Sequence, residues 1–355
     1  MKLNLALAGF GNVARRFVRL LRERETELAA LDLEPVIVGI STRRHGAMFS
    51  PRGIDAVEQA DRLDRGEAML DDGVASPVKD TFALIGRTAE LWQPAALVET
   101  TVLDITAGQP AIDHVRAAMQ AGLHVVTANK GPAAFAAREL LREAEDRGLS
   151  FFFEGAVMDG IPVFNLVRET LPAVRVTGFE GVLNTTTNEM LVAIERGETA
   201  AAALARMQAE GIAEADPSLD LEGWDAAAKT SALANVLLDA GMTPRDVDRE
   251  GLGRVLEGME AGEARVRDAA SRGTRLKLMA AARREGGRVV AEVRLREVDP
   301  AGPFGSLGGA ANALRLDTDL LGPIVITQLE GSLTATAYAL VTDLVAVARR
   351  LQGRS

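Results

Sequence analysis

The stretch Ala213-Glu214-Ala215-Asp216-Pro217-Ser218-Leu219-Asp220-Leu221-Glu222-Gly223-Trp224-Asp225-Ala226-Ala227-Ala228-Lys229 crowds Glu214, Asp216, Asp220, Glu222 and Asp225 ahead of one ammonium group. On a helix starting at Asp225, Lys229 lies one turn away on the same face. These groups can hold charge and move protons. The same pattern also fits a surface ion pair and acids satisfying a helix N-terminus. It does not fit an EF-hand loop, whose oxygen ligands alternate around a fixed glycine. A second stretch, Thr127-Ala128-Asn129-Lys130, follows a strand and offers an amide and an ammonium together. It sits where α/β folds place ligands, although alone it is a loop with a lysine. A third, Glu154-Gly155-Ala156-Val157-Met158-Asp159-Gly160-Ile161-Pro162, has the composition of a tight loop between strand and helix.

A further signal is Gly9-Phe10-Gly11-Asn12-Val13-Ala14, directly after an apolar run. It fits the G-x-G-x-x-G/A pattern. Gly9 makes the turn, Gly11 lets the backbone approach a pyrophosphate, and Ala14 permits close helix–strand packing. The helix starting near Asn12 and Val13 would aim its amides at phosphates. After the second strand the chain reads Ser41-Thr42-Arg43-Arg44, with no acidic residue to take ribose hydroxyls. That favours NADP over NAD, with Arg43 or Arg44 pairing with a 2′-phosphate and Arg52 as a further candidate.

The elements that must carry these groups follow from periodicity. Leu3, Leu5 and Leu7 begin a strand, and Val13, Phe17, Leu20, Leu21 and Leu28 recur at helical spacing. Strands are expected at Val36 to Ile40, Ala96 to Ile105 and Leu123 to Thr127, with a helix over Ala111 to Ala121. Residues 43 to 90 read as a polar surface excursion with a helix at 55 to 70. This alternation predicts a Rossmann-type, doubly wound parallel sheet over residues 1–148, with 315–355 packing back near it. From Phe151 alternation breaks down. Strands are expected at Phe151 to Phe153, Gly178 to Leu183, Arg288 to Arg296 and Ile324 to Leu329. Helices are expected at Ala200 to Ala209, Asp225 to Ala240 and Thr334 to Leu351. Residues 149–314 therefore read as an α+β domain with a partly antiparallel sheet.

Composition narrows the chemistry. The 355 residues are 47% hydrophobic and 25% charged, with a net charge of −10 and no basic tail. That argues against nucleic-acid or anionic-membrane partners. There is no cysteine, which removes disulfides, thiolate metal sites and thioester mechanisms. His45, His114 and His124 are too few for a multi-histidine zinc centre. The first apolar run is too short for a membrane span and lacks a cleavage site, so a cytoplasmic protein is expected.

Taken together, the T-A-N-K loop, the E-x-x-V-x-x-G-I-P turn, the segment Gly181-Val182-Leu183-Asn184-Thr185-Thr186-Thr187-Asn188 and the acidic signature ending at Lys229 resemble homoserine dehydrogenase in content and order. The similarity runs from Gly9 to Asp343. It implies reversible oxidation of the homoserine alcohol to aspartate 4-semialdehyde, with hydride passing to a nicotinamide. It places Lys130 and Lys229 beside the reacting oxygen. Which of them carries the proton is open; Lys229 is favoured, with Lys130 polarising the oxygen. Glu214 and Asp225 would hold the substrate ammonium, and Asp220 would orient Lys229 or the substrate amine. Thr106, at the end of the third strand, and Asn129 would sit near the nicotinamide. Glu154, Val157, Asp159 and Ile161 match a turn that can hold a monovalent cation such as sodium. A homodimer formed by the second domain's sheet is also implied.

Two departures stand out. The family's glycine-rich G-P-G-A-G turn is here Gln328-Leu329-Glu330-Gly331-Ser332, and Met158-Asp159 replaces a pair of small residues. The first raises an alternative, a dinucleotide-binding sensor with altered catalysis; another is a dehydrogenase of a related amino alcohol. The chain stops soon after its last helix, so no C-terminal regulatory domain is expected.

Overall fold

The computed structural model describes residues 1–69, 75–213, 216–252 and 260–353. The chain divides into two compact units, Met1–Asn165 with Ser332–Ser355, and Leu166–Gly331. In the first, β1 (Lys2–Ala8), β2 (Glu34–Thr42), β3 (Gly46–Phe49), β4 (Ser76–Val78), β5 (Ala95–Glu99), β6 (His124–Thr127) and β7 (Phe151–Phe152) form one sheet in the order β4-β3-β2-β1-β5-β6-β7. The run from β2 to β7 is parallel, and β3 and β4 extend it antiparallel at one edge. Every residue of β1 after Lys2 is buried, as a parallel strand covered on both faces requires. Helix Asn12–Glu23 turns Ala14, Phe17, Val18, Leu20 and Leu21 inward, and the final helix, Leu333–Leu351, brings Ala337, Leu340, Val341 and Leu344 to the same core. Strand order reverses between β1 and β5, and such a switch point opens a crevice beyond the strands' carboxyl ends.

The second unit holds β8 (Val176–Val182), β9 (Asp248–Arg249), β10 (Arg275–Glu285), β11 (Arg288–Val298), β12 (Asn312–Thr318) and β13 (Gly322–Gln328), ordered β13-β12-β8-β10-β11-β9. All pairings are antiparallel except β9 with β11. Helices Thr185–Glu195, Ala200–Ala209 and Trp224–Leu238 belong to this unit. The long β10–β11 hairpin turns at Gly286 and Gly287, both at positive φ.

Several expectations shift. The unit boundaries fall after Asn165 and Gly331 rather than at 148 and 314, because β7 completes the parallel sheet while β12 and β13 pair into the second. Phe151 to Phe153 therefore closes the first sheet instead of opening the second. The stretch 43 to 90 is more ordered than a surface excursion: it holds β3, β4 and helices Ala56–Asp64 and Thr81–Ala89, capped by Asp55 and Asp80. The helix read at 55 to 70 ends at Asp64. β10 was not foreseen.

Lys277 on β10 is fully withdrawn from solvent; its Nζ donates to Asn188 Oδ1 at 2.7 Å and to the Leu307 carbonyl at 3.1 Å. Burial lowers its pKa from the ordinary 10.5 to about 8, against the opposing pull of Glu195. Between those values the unfolded chain binds more protons than the folded one, so stability rises with pH across the window. Equilibrium unfolding in denaturant should show a gain of order 3 kcal/mol from pH 8 to 10.5. The slope should disappear in Lys277→Met; an identical slope in that variant would mean that other groups produce it.

Candidate functional site

In the first unit the tips of β1, β2 and β5 are tied together at Gly9. Its amide donates to the Ser41 carbonyl at 2.9 Å, and the Thr100 amide donates to the Ala8 carbonyl at 2.8 Å. Gly9 has φ +92°, and a Cβ there would meet the Thr100 carbonyl oxygen at 2.7 Å, so only glycine fits. Gly11 differs: its φ is −79° and an added Cβ would meet nothing within 4 Å. It is the N-cap of helix Asn12–Glu23, and no side chain caps the free amides. Asn12 is exposed and accepts from Arg15 Nη2 at 2.7 Å, and Val13 is half-buried. Arg43 and Arg44 are exposed in the hairpin turn between β2 and β3.

At the neighbouring strand ends, Asn129 is buried and its Oδ1 accepts from the Gly131 amide at 2.9 Å, capping helix Lys130–Asp146. Its Nδ2 donates to the Thr101 carbonyl at 2.9 Å. Lys130 is therefore the first helical residue, half-buried, where the macrodipole disfavours a cation. That placement carries a cost that helix stability alone does not explain. Behind it lies Glu99, fully buried at the end of β5. The Thr101 amide at 3.0 Å, the Thr101 hydroxyl and Thr127 Oγ1 at 3.1 Å donate to its carboxylate. Thr127 Oγ1 in turn accepts from the Asn129 amide at 2.9 Å. Glu99 and Thr101 were not identified from sequence, although a carboxylate inside an apolar run was the available sign.

Thr106 is not at the strand end. β5 stops at Glu99, and Thr106 lies exposed in a later turn organised by Asp104, whose carboxylate accepts from the Thr106 and Ala107 amides at 3.1 and 2.9 Å. Desolvation pushes the Asp104 carboxyl up, but these amide bonds outweigh it and hold the pKa below the ordinary range.

The turn Glu154 to Ile161 uses its carboxylates for internal bonds. Glu154, 2% exposed, accepts from the amides of Val163 at 2.6 Å, Phe164 at 3.0 Å and Asn165 at 2.6 Å. Its own amide donates to buried Asp343 at 2.9 Å. Asp159, at φ 49°, accepts from Thr336 Oγ1 at 3.0 Å, while Val157 is buried and Ile161 half-buried. Among the described residues no group of three or more His, Cys, Asp or Glu side chains is placed to hold a metal ion. A cation here would thus depend largely on backbone carbonyls.

In the second unit the acidic signature assembles around the end of β8. Lys229 Nζ donates to the Leu183 carbonyl at 2.7 Å and ion-pairs with Asp225 Oδ2 at 2.9 Å; both side chains are 14% exposed. Asn184 Nδ2 donates to Asp220 Oδ1 at 2.8 Å and to Asp225 Oδ2 at 3.0 Å. Thr186 Oγ1 donates to Asp220 Oδ2 at 2.7 Å. Asp225 therefore pairs with Lys229, while Asp220 is held by Asn184 and Thr186. Gly223, at φ 79°, provides the reversal between the two aspartates. Arg249 stacks on Trp224 at 3.6 Å and donates to the Glu222 carbonyl, bracing that loop. Glu214 lies outside the described residues. The holding roles of Asn184 and Thr186 were not read from sequence.

An open groove of about 650 Å³ in the first unit, lined by Met1, Val18, Leu21, Val36 and Ile37 among others, contains none of these side chains. Among the described residues no helix is long and apolar enough to cross a membrane.

Comparison with known proteins shows the family. The sequence model of the homoserine dehydrogenase NAD-binding domain matches residues 9–154, and that of homoserine dehydrogenase matches residues 162–345. A relative from Pseudomonas canavaninivorans, named NAD(+)-dependent homoserine dehydrogenase, is 36% identical over 96% of this chain and 95% of its own. The homoserine dehydrogenase of Sulfurisphaera tokodaii is 30% identical over 98% of this chain and 99% of its own. The crystal structure of a homoserine dehydrogenase from Thiobacillus denitrificans, 27% identical, superposes with a TM-score of 0.82 over 99% of this chain and 74% of that one.

The two glycines should separate on substitution. Gly9→Ala should lower the melting temperature markedly, since a positive φ and a backbone clash add strain of about 1–3 kcal/mol. Gly11→Ala should melt like the wild type yet bind dinucleotide at least tenfold more weakly by calorimetry. Unchanged binding in Gly11→Ala would remove the pyrophosphate from that turn.

Proposed function

The chain belongs to the homoserine dehydrogenase family, and we propose that Lys229 and Lys130 carry its chemistry on L-homoserine, interconverting it with L-aspartate 4-semialdehyde. It is an NAD(P)-dependent oxidoreductase of amino-acid biosynthesis. The observation that most supports the assignment is the end of the acidic signature folded onto Lys229, whose ammonium donates to the Leu183 carbonyl and pairs with Asp225.

The dinucleotide, when bound, accepts the hydride in oxidation and returns it in reduction. Lys229 in its neutral amine form takes the hydroxyl proton as the alcohol is oxidised, and the ammonium so formed gives it back in the reverse direction. Lys130 stabilises negative charge on the same oxygen. Asp225 holds Lys229 and, with Glu214, binds the substrate ammonium; Asp220 completes that acidic lining. Asn129 fixes the start of the Lys130 helix and would lie near the nicotinamide of a bound dinucleotide.

NADP is the preferred cofactor in this reading. Arg43 and Arg44 are exposed after β2 without an ion pair among the described residues, and a 2′-phosphate would pair with them. A monovalent cation at Glu154, Val157, Asp159 and Ile161 would serve the turn, not the reaction, and a sodium-for-choline exchange measures it. The exposed Val325 on edge strand β13, with Leu320, Leu321 and Leu329 nearby in sequence, supports a homodimer, for which sedimentation should give twice 37.6 kDa.

Purified protein should reduce NADP with homoserine at alkaline pH. Lys229→Ala should cut kcat by at least about a thousandfold while cofactor affinity stays within a few-fold. Binding of dinucleotide with no turnover of homoserine or any related amino alcohol would instead favour the sensor alternative. The double replacement Arg43→Ser with Arg44→Ser should raise KM for NADP tenfold or more and leave NAD untouched; equal effects on both cofactors would refute the 2′-phosphate role.

A further inference from the structure

Resting on that reading, we propose that Asn184 is a positioning residue that sets the spacing of Asp220 and Asp225 and, through Asp225, the ammonium of Lys229. It stands at the junction of β8 and helix Thr185–Glu195. Its Oδ1 accepts from the Thr187 amide at 2.9 Å, which fixes the orientation of the side-chain amide. A flipped amide would face two carboxylates with an oxygen and an amide N–H with its own NH₂, so only one orientation satisfies every partner. In that orientation one nitrogen supplies one carboxylate at 2.8 Å and the other at 3.0 Å.

The two aspartates come from separate segments, Ser218–Leu221 and Trp224–Leu238, joined through Gly223 at positive φ. Like charges so placed repel, and a neutral double donor between them holds them together without cancelling their charge. Leu183, the preceding residue, accepts from Lys229 at 2.7 Å. Consecutive residues of one turn thus grip both ends of the Asp225–Lys229 pair. A helix cap alone would need only the Oδ1.

That difference supplies the test. Asn184→Asp keeps the cap, since aspartate caps as well as asparagine, but replaces the double donor by a third carboxylate. Asn184→Ser keeps the cap and removes the bridge. Asn184→Ser should melt within a few degrees of the wild type, and Asn184→Asp should do so at pH 5. Both should lose at least a hundredfold in kcat/KM for homoserine at pH 8, with KM for the dinucleotide within twofold. For Asn184→Asp the deficit should shrink as pH falls, because a protonated carboxyl regains one donor; for Asn184→Ser it should not.

Variants within threefold of the wild type across the pH profile would reduce Asn184 to a cap and overturn the proposal, with the enzyme reading intact. A wild type inactive on homoserine would instead refute the enzyme reading, and the proposal would then be judged on stability. Asn184→Asp should lose stability relative to the wild type as pH rises from 5 to 8, when the third carboxylate ionises beside Asp220 and Asp225. A pH-independent difference would overturn it there. Should Asn184→Asp fold poorly, Asn184→Ser alone decides by its kcat/KM.

Discussion

Holding Asp220, Asp225 and Lys229 largely out of water at one turn is the constraint around which the second unit is arranged. A charge withdrawn from solvent without partners costs several kcal/mol, so every oxygen and proton in the group must be met. The partners come from Leu183 and Asn184, just past β8, and from Thr186 in the first turn of the helix that follows. β8 is suited to this because β10 and β12 flank it on both sides, which denies it the freedom of an edge strand. The hairpins on either side of β8 are therefore part of the site's support, although no side chain of theirs belongs to the acidic signature.

The first unit meets a related problem with a different device. Glu99 ends a buried strand as a carboxylate, and the hydroxyls of Thr101 and Thr127 with the Thr101 amide satisfy it. The bonds run across from β5 to β6 and onward to Asn129, so the stretch that presents Lys130 is anchored to the sheet through polar contacts. Just past the end of β1, the glycine turn is packed so closely against Thr100 that the fold itself demands Gly9, whereas Gly11 is free of any such demand. A glycine the fold does not need is the better sign of something approaching from outside.

The sequence was most legible where burial imposes one pattern. β1, β2 and β6 are near-continuous apolar runs, and the glycine turn after β1 marks its end without ambiguity. It was least legible where composition and structure disagree. β10 reads Arg-Leu-Lys-Leu-Met-Ala-Ala-Ala-Arg-Arg-Glu, a mixture of good helix formers, yet it is a strand because it pairs with β11 from Arg275 to Glu285. The Gly286-Gly287 turn was the cue for that hairpin. Thr106 was misplaced because Val102, Leu103 and Ile105 prolong the apolar character of β5 beyond its last hydrogen-bonded residue. In the acidic signature, spacing gave the Asp225–Lys229 pair, but nothing local to residues 213–229 points to Asn184, whose bonds to Asp220 and Asp225 span 36 and 41 positions.

The charges of that group also bear on what it would accept. Asp220 and Asp225 bring two negative charges and Lys229 one positive, and Asn184 and Thr186 supply hydrogen bonds but no charge. In the proposed reading a bound amine would bring a second positive charge beside these carboxylates, which a neutral alcohol of the same shape would not. Sites built on polar complementarity reject analogues lacking the matching group far more strongly than apolar pockets reject a missing methylene. On the proposed function, discrimination for an amino alcohol over a plain alcohol would follow from the arrangement that holds the lysine, since the same hydrogen bonds position Lys229 and the carboxylates proposed to meet the substrate.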